Sequence, residues 1–379
     1  MTPSDSQDHI VQEVCRFASE VIVPQAGDFD KTGVLPRRVI EELAHRKLLL
    51  ASLPESAGGL GLDPLCYGYI TEALGKACCS TVGLLTVHCS LVGETLQRWG
   101  SEALRNEWLP RMAKGEAIGA FALSEPEIGT DAQSVQTQYR PDGNAYVLDG
   151  RKKWISFGGI ADFFLVIAAH GSDITAFLVD RKSPGIRTRP IRGLLARRAS
   201  HVAEIDFDHV VVPKEHVVGQ PGSGFTYVVG TALDHGRYSI AWSGVALAQA
   251  GLEAMVRYAR KRKQFSKRLC EFQLVQGMIG DAVTQTHAAR ALCIQAGMLR
   301  QQGSSHAMAE TNIAKYFTSK VAMDIAQNAV QVHGGNGCCS DYPVERYFRE
   351  AKVLEIIEGT SQIQQQLIAR YGLRQYGRR

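Results

Sequence analysis

The spacing of hydrophobic and polar positions changes period twice along this chain. Near the N-terminus, "DHIVQEVCRFASEVIVPQA" places Ile10, Val11, Val14, Phe17, Ala18 and Val21 at helical intervals, and Pro24 marks a stop or kink. "RRVIEELAHRKLL" repeats the signal, "PESAGGLGLDP" breaks it with turn residues, and "YGYITEALGKA" and "LVGETLQRWG" resume amphipathic helix. From about residue 118 the period shortens. "NAYVLDG", "DFFLVIAAH", "ITAFLVD" and "VAEIDFDHVVVP" are rich in β-branched and aromatic residues and are divided by "RPDG", "KSPG" and "VPKEHVVG". No helix of useful length lies between them, which argues for an antiparallel β domain and against a doubly wound parallel sheet. After "GQPGSGF" long helices return, with Val245, Ala248, Leu252, Met255, Val256 and Ala259 forming one apolar stripe. The pattern predicts an α+β multidomain protein: an N-terminal helical domain over 1–117, a central antiparallel β domain over 118–225 and a C-terminal helical bundle over 226–379.

Composition narrows the class of protein. A chain of 379 residues has room for two or three folding units, and 45% hydrophobic with 21% charged residues excludes a disordered chain. Forty-two basic against 38 acidic side chains leave a net charge of +4, too mild to argue for a nucleic-acid partner. No apolar run reaches membrane-spanning length, and "MTPSDSQDHIVQEV" lacks the charged and apolar regions of a signal peptide, so no membrane partner and a cytoplasmic location are expected. Nine cysteines, an odd number, fit free thiols, and the adjacent pairs Cys78–Cys79 and Cys338–Cys339 lack metal-ligand spacing. No metal is expected.

Candidate chemistry begins at "EIIEGTSQIQQQ". Ser361 and Gln364 have capping-box spacing, with Ile363, Leu367 and Ile368 continuing at helical intervals, so Glu358 could simply sit near a positive helix end. Against that ordinary reading, which this stretch alone favours, Ile356 and Ile357 suggest an apolar wall beside Glu358, and a desolvated carboxylate is a stronger base, while Gly359 admits close approach to the backbone. Four more stretches stand out: "FALSEPEIGTDA", "KKWISFGG", "RKRKQFSK" and "QVHGGNG". Singly each has an ordinary reading. Trp154 suits a β-domain core, Gly334 suits a helix C-cap, and the basic run from Arg257 to Arg268 suits a solvated helix end. "GGLGL" at 58–62 lacks dinucleotide-fingerprint spacing.

Together, in this order, the five stretches resemble the acyl-CoA dehydrogenases, from about Asp8 to Leu373. The resemblance implies an FAD enzyme that removes a proton from the carbon next to a thioester with Glu358 and passes a hydride from the β-carbon to flavin N5. It implies that Arg237 lies close to the active site, and that Gly236 occupies the position where some members carry the base. Leu123, Ser124, Trp154 and Ser156 are implied along the flavin ring. Arg262, Phe265, Gln331, Gly334, Gly335, Thr360 and Gln362 are implied around the remainder of the FAD, and Thr130, Trp242 and Ile357 toward substrate. It further implies a homotetramer or homodimer and an electron-transfer flavoprotein as possible partner.

Three departures from the family pattern, Glu127, Ile357 and Trp242, suggest a cramped or polar acyl pocket. "LDHGRYSIAW" and the segment from His333 to Gln365 look most like members that act on small polar acyl units carried by an acyl carrier protein in polyketide and peptide antibiotic pathways. On that reading Arg187, Arg189, Arg192, Arg197 and Arg198 offer a docking surface for an acidic carrier, or else a solvated loop. A short-chain acyl-CoA dehydrogenase of catabolism and a non-catalytic relative are the alternatives.

Overall fold

The computed structural model describes residues 5–377. Helices come first: α1 (Asp5–Phe17), α2 (Ala26–Thr32), α3 (Arg37–His45), α4 (Pro64–Ala77), α5 (Cys79–Leu85), α6 (Glu94–Trp99) and α7 (Glu102–Ala113). Strands follow: β1 (Gly119–Ala122), β2 (Gln138–Asp142), β3 (Ala145–Ile155), β4 (Phe163–His170), β5 (Asp173–Asp180), β6 (Ile186–Pro190), β7 (Ala203–Pro213) and β8 (Val217–Val218). The chain then continues with α8 (Gly230–Lys261), a ribbon of β9 (Lys263–Gln264) and β10 (Lys267–Arg268), α9 (Gln273–Gln301), α10 (Ala307–His333), α11 (Val344–Leu354) and α12 (Ser361–Tyr376). Pro24 does not end α1 directly. The helix passes through a π turn at Ala18–Ile22 into a 3₁₀ turn at Val23–Gln25, where the missing proline N–H is tolerated.

These elements gather into two compact units, one formed by residues up to 28, 63–82 and 237 onward, the other by 29–62 and 83–236. The second contains the sheet, in the order β6-β7-β3-β2-β4-β5-β8. It is antiparallel except where β4 runs parallel to β1 and, for one residue pair, to β2. The expected antiparallel domain is therefore mixed, because β1 is too short to display a period of its own. Every β4 residue from Phe163 to Ala169 is buried, which explains why that strand reads as a continuous apolar run rather than an alternation. Leu148, Phe164, Phe177, Ile205 and Phe207 form the centre of its core.

The helical run Cys79–Trp99 is long and apolar enough to cross a membrane, contrary to the sequence expectation, yet 94% of its apolar window is buried inside the protein, as in a core helix. Its middle is a π turn, Thr86–Gly93, that carries the fully buried His88. The ring bridges two elements: Nδ1 accepts from the Gly119 N–H at 3.1 Å and Nε2 donates to the Met112 carbonyl at 3.2 Å. This arrangement requires a neutral imidazole, and burial pushes its pKa down to about 4.

In the first unit, α8, α10 and α11 share a core of Ile240, Leu247, Ala322, Ala326, Ala351 and Leu354. Helix α4 packs on α8 through a close approach at Gly68: a Cβ there would lie 2.2 Å from the Trp242 ring. Tyr69 and Tyr238 complete the aromatic cluster, with centroids 5.1 and 6.5 Å from that of Trp242.

Two outcomes follow from these contacts. Gly68→Ala should lower stability by about 1–3 kcal/mol through overpacking, and adding Trp242→Phe should recover part of the loss in chemical denaturation. For His88 the folded state resists a proton that the unfolded state accepts, so its contribution is complete above the unfolded pKa near 6.5. It falls as pH drops from there to about 4, by roughly 3 kcal/mol in all. A His88→Gln variant should show a shallower loss of stability across that window when unfolding is followed as a function of pH.

Candidate active site

The candidate site residues divide between the two units. In the second unit, β1 ends at Ala122 and the chain runs on through Leu123 and Ser124 beside the end of β3, where the Lys153 N–H donates to the Ser124 carbonyl at 2.9 Å. This pairing brings Leu123, Ser124, Trp154 and Ser156 to one place. The β3–β7 ladder breaks register between Lys152 and Ile155, and Trp154 sits in that irregularity with φ of 62°. A bulge re-aims a side chain out of the ladder. The Trp154 indole is accordingly 53% exposed, not a core aromatic.

A buried ion pair underlies this junction. Lys152 Nζ lies 2.7 Å from Glu125 Oε1 and donates to the Leu123 carbonyl at 3.0 Å, with both side chains almost wholly enclosed. Glu125 also accepts from the N–H groups of Gln136 at 2.6 Å and Thr137 at 2.9 Å. Burial pushes Lys152 down to about 8 while Glu125 opposes the fall. On Glu125 burial acts upward, but Lys152 and the donated hydrogen bonds outweigh it and hold the carboxyl below its usual range. Neither residue was selected from sequence, although a lysine on an inward position of a strand was the available signal.

In the first unit, Glu358 and Gly359 take consecutive left-handed conformations, φ 55° and 92°. The turn they form aims both carbonyls at a set of donors. Arg237 Nε donates to the Glu358 carbonyl at 3.0 Å, Lys315 Nζ to the Gly359 carbonyl at 2.8 Å, and Gln364 Nε2 to both, at 3.2 and 3.3 Å. Arg237 reaches Asn312 Oδ1 as well, at 3.4 Å. The helix cap differs by one residue from the capping-box expectation. Thr360 is the N-cap, accepting from the Ile363 N–H, and this frees Gln364 to face the turn. The apolar wall is also narrower than expected, because Ile356 is 54% exposed while Ile357 packs against the α8–α10–α11 core. Gln362 is exposed.

Arg262, Gly334 and Gly335 line a cavity of about 360 Å³ together with Tyr258, Gln264, Leu269, Val332, His333 and Asn336. Tyr258 stacks on His333 with centroids 4.1 Å apart, and its hydroxyl accepts from Asn336 Nδ2 at 2.8 Å. Phe265, at 90% exposure, and Gln331, exposed at the end of α10, do not line that cavity. Trp242, expected toward substrate, is fully buried against α4. Thr130 and Glu127 are exposed on the segment after β1.

The arginine segment does not present a free basic surface. Arg189 pairs with Glu204 and Asp206, Arg187 approaches Asp208 at 4.0 Å, Arg198 approaches Asp30 at 3.9 Å, and Arg197 is buried. Arg192 is exposed. Glu204, Asp206 and Asp208 of β7, invisible as partners in the linear sequence, face Arg187 and Arg189, but Glu204 and Asp206 are shared with Lys153 and Arg151.

Models of three acyl-CoA dehydrogenase domains match successive stretches of the chain: the N-terminal domain at 4–116, the middle domain at 120–210 and the C-terminal domain at 222–373. The chain is 35% identical over 373 residues to the mitochondrial short-chain specific acyl-CoA dehydrogenase of Mus musculus, covering 97% of this chain and 90% of that one. Among solved structures, butyryl-CoA dehydrogenase from Megasphaera elsdenii matches with a TM-score of 0.95 at 32% identity, over 98% of this chain and 99% of that one. FkbI, for biosynthesis of the methoxymalonyl extender unit of the polyketide Fk520, matches at 0.87 and 30%, over 96% and 99%. The fold and these matches define a flavin-dependent oxidoreductase. The chain belongs to the acyl-CoA dehydrogenase family, whose cofactor is FAD.

The residues present fit that cofactor. In the first unit the Arg262 guanidinium beside Gly334–Gly335 would suit phosphate oxygens, and in the second unit the exposed Trp154 face would suit a flat ring.

Removing Lys152 alone strands a buried carboxylate. Lys152→Met should cost about 3–5 kcal/mol and reduce the FAD content of the purified protein, whereas Lys152→Met with Glu125→Gln should recover much of both. Denaturation midpoints and released flavin provide the check.

Proposed function

We propose that this protein dehydrogenates short-chain acyl-CoA thioesters between the α- and β-carbons, with Glu358 as the base. The observation that carries the reading is the Glu358–Gly359 turn: a carboxylate on a left-handed residue, its backbone tied by Arg237, Lys315 and Gln364. The likeness to short-chain specific relatives over nearly the whole chain supports the substrate class.

The chemistry explains the architecture. An α-proton beside a thioester is a very weak acid, so its removal calls for a fixed base, and a positioned base contributes typically 100- to 10,000-fold. Gly236, at the other position family members use for a base, has no side chain to compete with Glu358. Arg237 orients the turn through its carbonyl, so the carboxylate approaches substrate in one direction. Bound FAD supplies the hydride acceptor. Trp154 offers the flat surface against which the ring is held, and the Lys152–Glu125 pair fixes the strand end that carries it.

Carrier-bound acyl units form a second reading; the 30% identity to FkbI, a protein for biosynthesis of the methoxymalonyl extender unit, is what supports it. The pairing of Arg187, Arg189 and Arg198 with nearby acids removes part of the charge such docking would use.

The test is anaerobic mixing of the FAD-loaded protein with butyryl-CoA, longer acyl-CoAs and hydroxy- or aminoacyl carrier proteins, following loss of oxidised-flavin absorbance. Butyryl-CoA should react fastest; a faster carrier-bound substrate would select the second reading. Glu358→Gln should retain FAD and slow reduction by about 100-fold or more. Reduction at the parental rate would remove Glu358 from the role of base.

A further inference from the structure

We propose that Lys315 is the positioning residue of the candidate base: its buried ammonium clamps the Gly359 carbonyl, fixes the Glu358–Gly359 turn and keeps the neighbouring carboxylate ionised before substrate arrives. The inference rests on the assignment of Glu358 as base.

Lys315 is an unusual place to find a charge. It lies on α10 with no solvent exposure, in a stripe with Thr311, Thr318, Ala322, Ile325 and Ala329, all of them buried. The spacing of that stripe, i, i+4, i+7, i+11, i+14 and i+18 from Thr311, is that of the packed face of a helix. A lysine is almost never fully buried unless paired, because removing an ammonium from water is costly. Its side chain crosses from α10 to donate to the Gly359 carbonyl at 2.8 Å. That carbonyl belongs to the turn in which Glu358 carries the backbone strain. Glu358, a non-glycine residue, is held at φ 55° and Gly359 at φ 92°. Left-handed backbone at a bulky residue persists only when its surroundings over-determine it. Lys315, Arg237 and Gln364 supply that determination from three separate elements, α10, α8 and α12.

The clamp also sets the electrostatics. The charged groups facing Lys315 are Glu358, Arg237 and Glu355. Burial pushes the lysine down to about 8, Glu358 and Glu355 pull it upward, and Arg237 pushes it downward. The interaction is reciprocal. The ammonium that Glu358 favours in turn favours the ionised Glu358, the form able to take a proton. A neutral side chain at 315 would therefore shift the base toward its protonated, inactive form.

The experiment uses the FAD-loaded full chain with Lys315→Met, Lys315→Gln and Lys315→Arg. Flavin reduction by butyryl-CoA is followed from pH 5 to 9, and the unliganded proteins are titrated by infrared difference spectroscopy against the matching Glu358→Gln variants, which isolates one carboxyl band. In Lys315→Met the acidic limb of the rate profile and the carboxyl band should both move to higher pH by about one unit, a tenfold rate loss below that limb. Lys315→Gln removes the charge and retains a shorter polar donor, so the shift should persist with a smaller rate loss above the limb than in Lys315→Met. Lys315→Arg should restore the acidic limb. Should Lys315→Met fail to fold, the Gln and Arg pair carries the same comparison. An unshifted carboxyl band and rate profile in folded Lys315→Gln overturns the proposal. Parental reduction by Glu358→Gln would instead overturn the base assignment itself, and the two failures are separately visible.

Discussion

Two consecutive left-handed residues, Glu358 and Gly359, are the constraint around which this site is built. A backbone bent in this way turns carbonyls away from helical hydrogen bonding, and each must find a donor or lose the stability of one. The first unit satisfies them with a guanidinium from α8, an ammonium from α10 and an amide from α12. Three helices are thereby tied to one turn. The result is a carboxylate whose direction is set by long-range contacts rather than by its own loop, which is what proton abstraction from a weak acid requires.

A similar device operates in the second unit. The end of β3 leaves its ladder at Trp154, exposing an aromatic face, and the adjoining strand end is held by the Lys152 ammonium through the Leu123 carbonyl and Glu125. In both units a buried lysine donates to a backbone carbonyl. A fully buried ammonium is tolerable there because each has an oxygen acceptor within 3.0 Å and a carboxylate as a charge partner. The local cost of an unusual backbone is offset by charge-assisted hydrogen bonds, which are stronger and more directional than neutral ones.

Substrate class turns on charge as much as on shape. Read along the chain, five arginines between 187 and 198 form a basic surface for an acidic partner. In the folded sheet, β6 lies beside β7, and Glu204, Asp206 and Asp208 come opposite two of them, Arg187 and Arg189. Cross-strand pairing of opposite charges stabilises the sheet edge and engages part of that charge. Likewise Trp242, which in the sequence suggests a crowded substrate pocket, fills a gap that Gly68 leaves between two helices.

The sequence alone determined the order of helical, β and helical segments, because periods of 3.6 and 2 are local properties set by side-chain direction. It also determined the family and its FAD chemistry, since five short motifs in fixed order leave little latitude. Periodicity failed where strands were too short, at β1, or buried on both faces, at β4, and it displaced the cap of α12 by one residue. Only the tertiary structure decided which residues hold the candidate base. Arg237, Lys315 and Gln364 lie 121, 44 and 6 positions from their carbonyl partners, and no local pattern encodes such meetings. Lys315 left one trace in the sequence, a charge on the apolar stripe of α10. That trace acquires a meaning only when the carbonyl of Gly359 is brought to its ammonium, because a buried charge is defined by its partner and the partner is supplied by the fold.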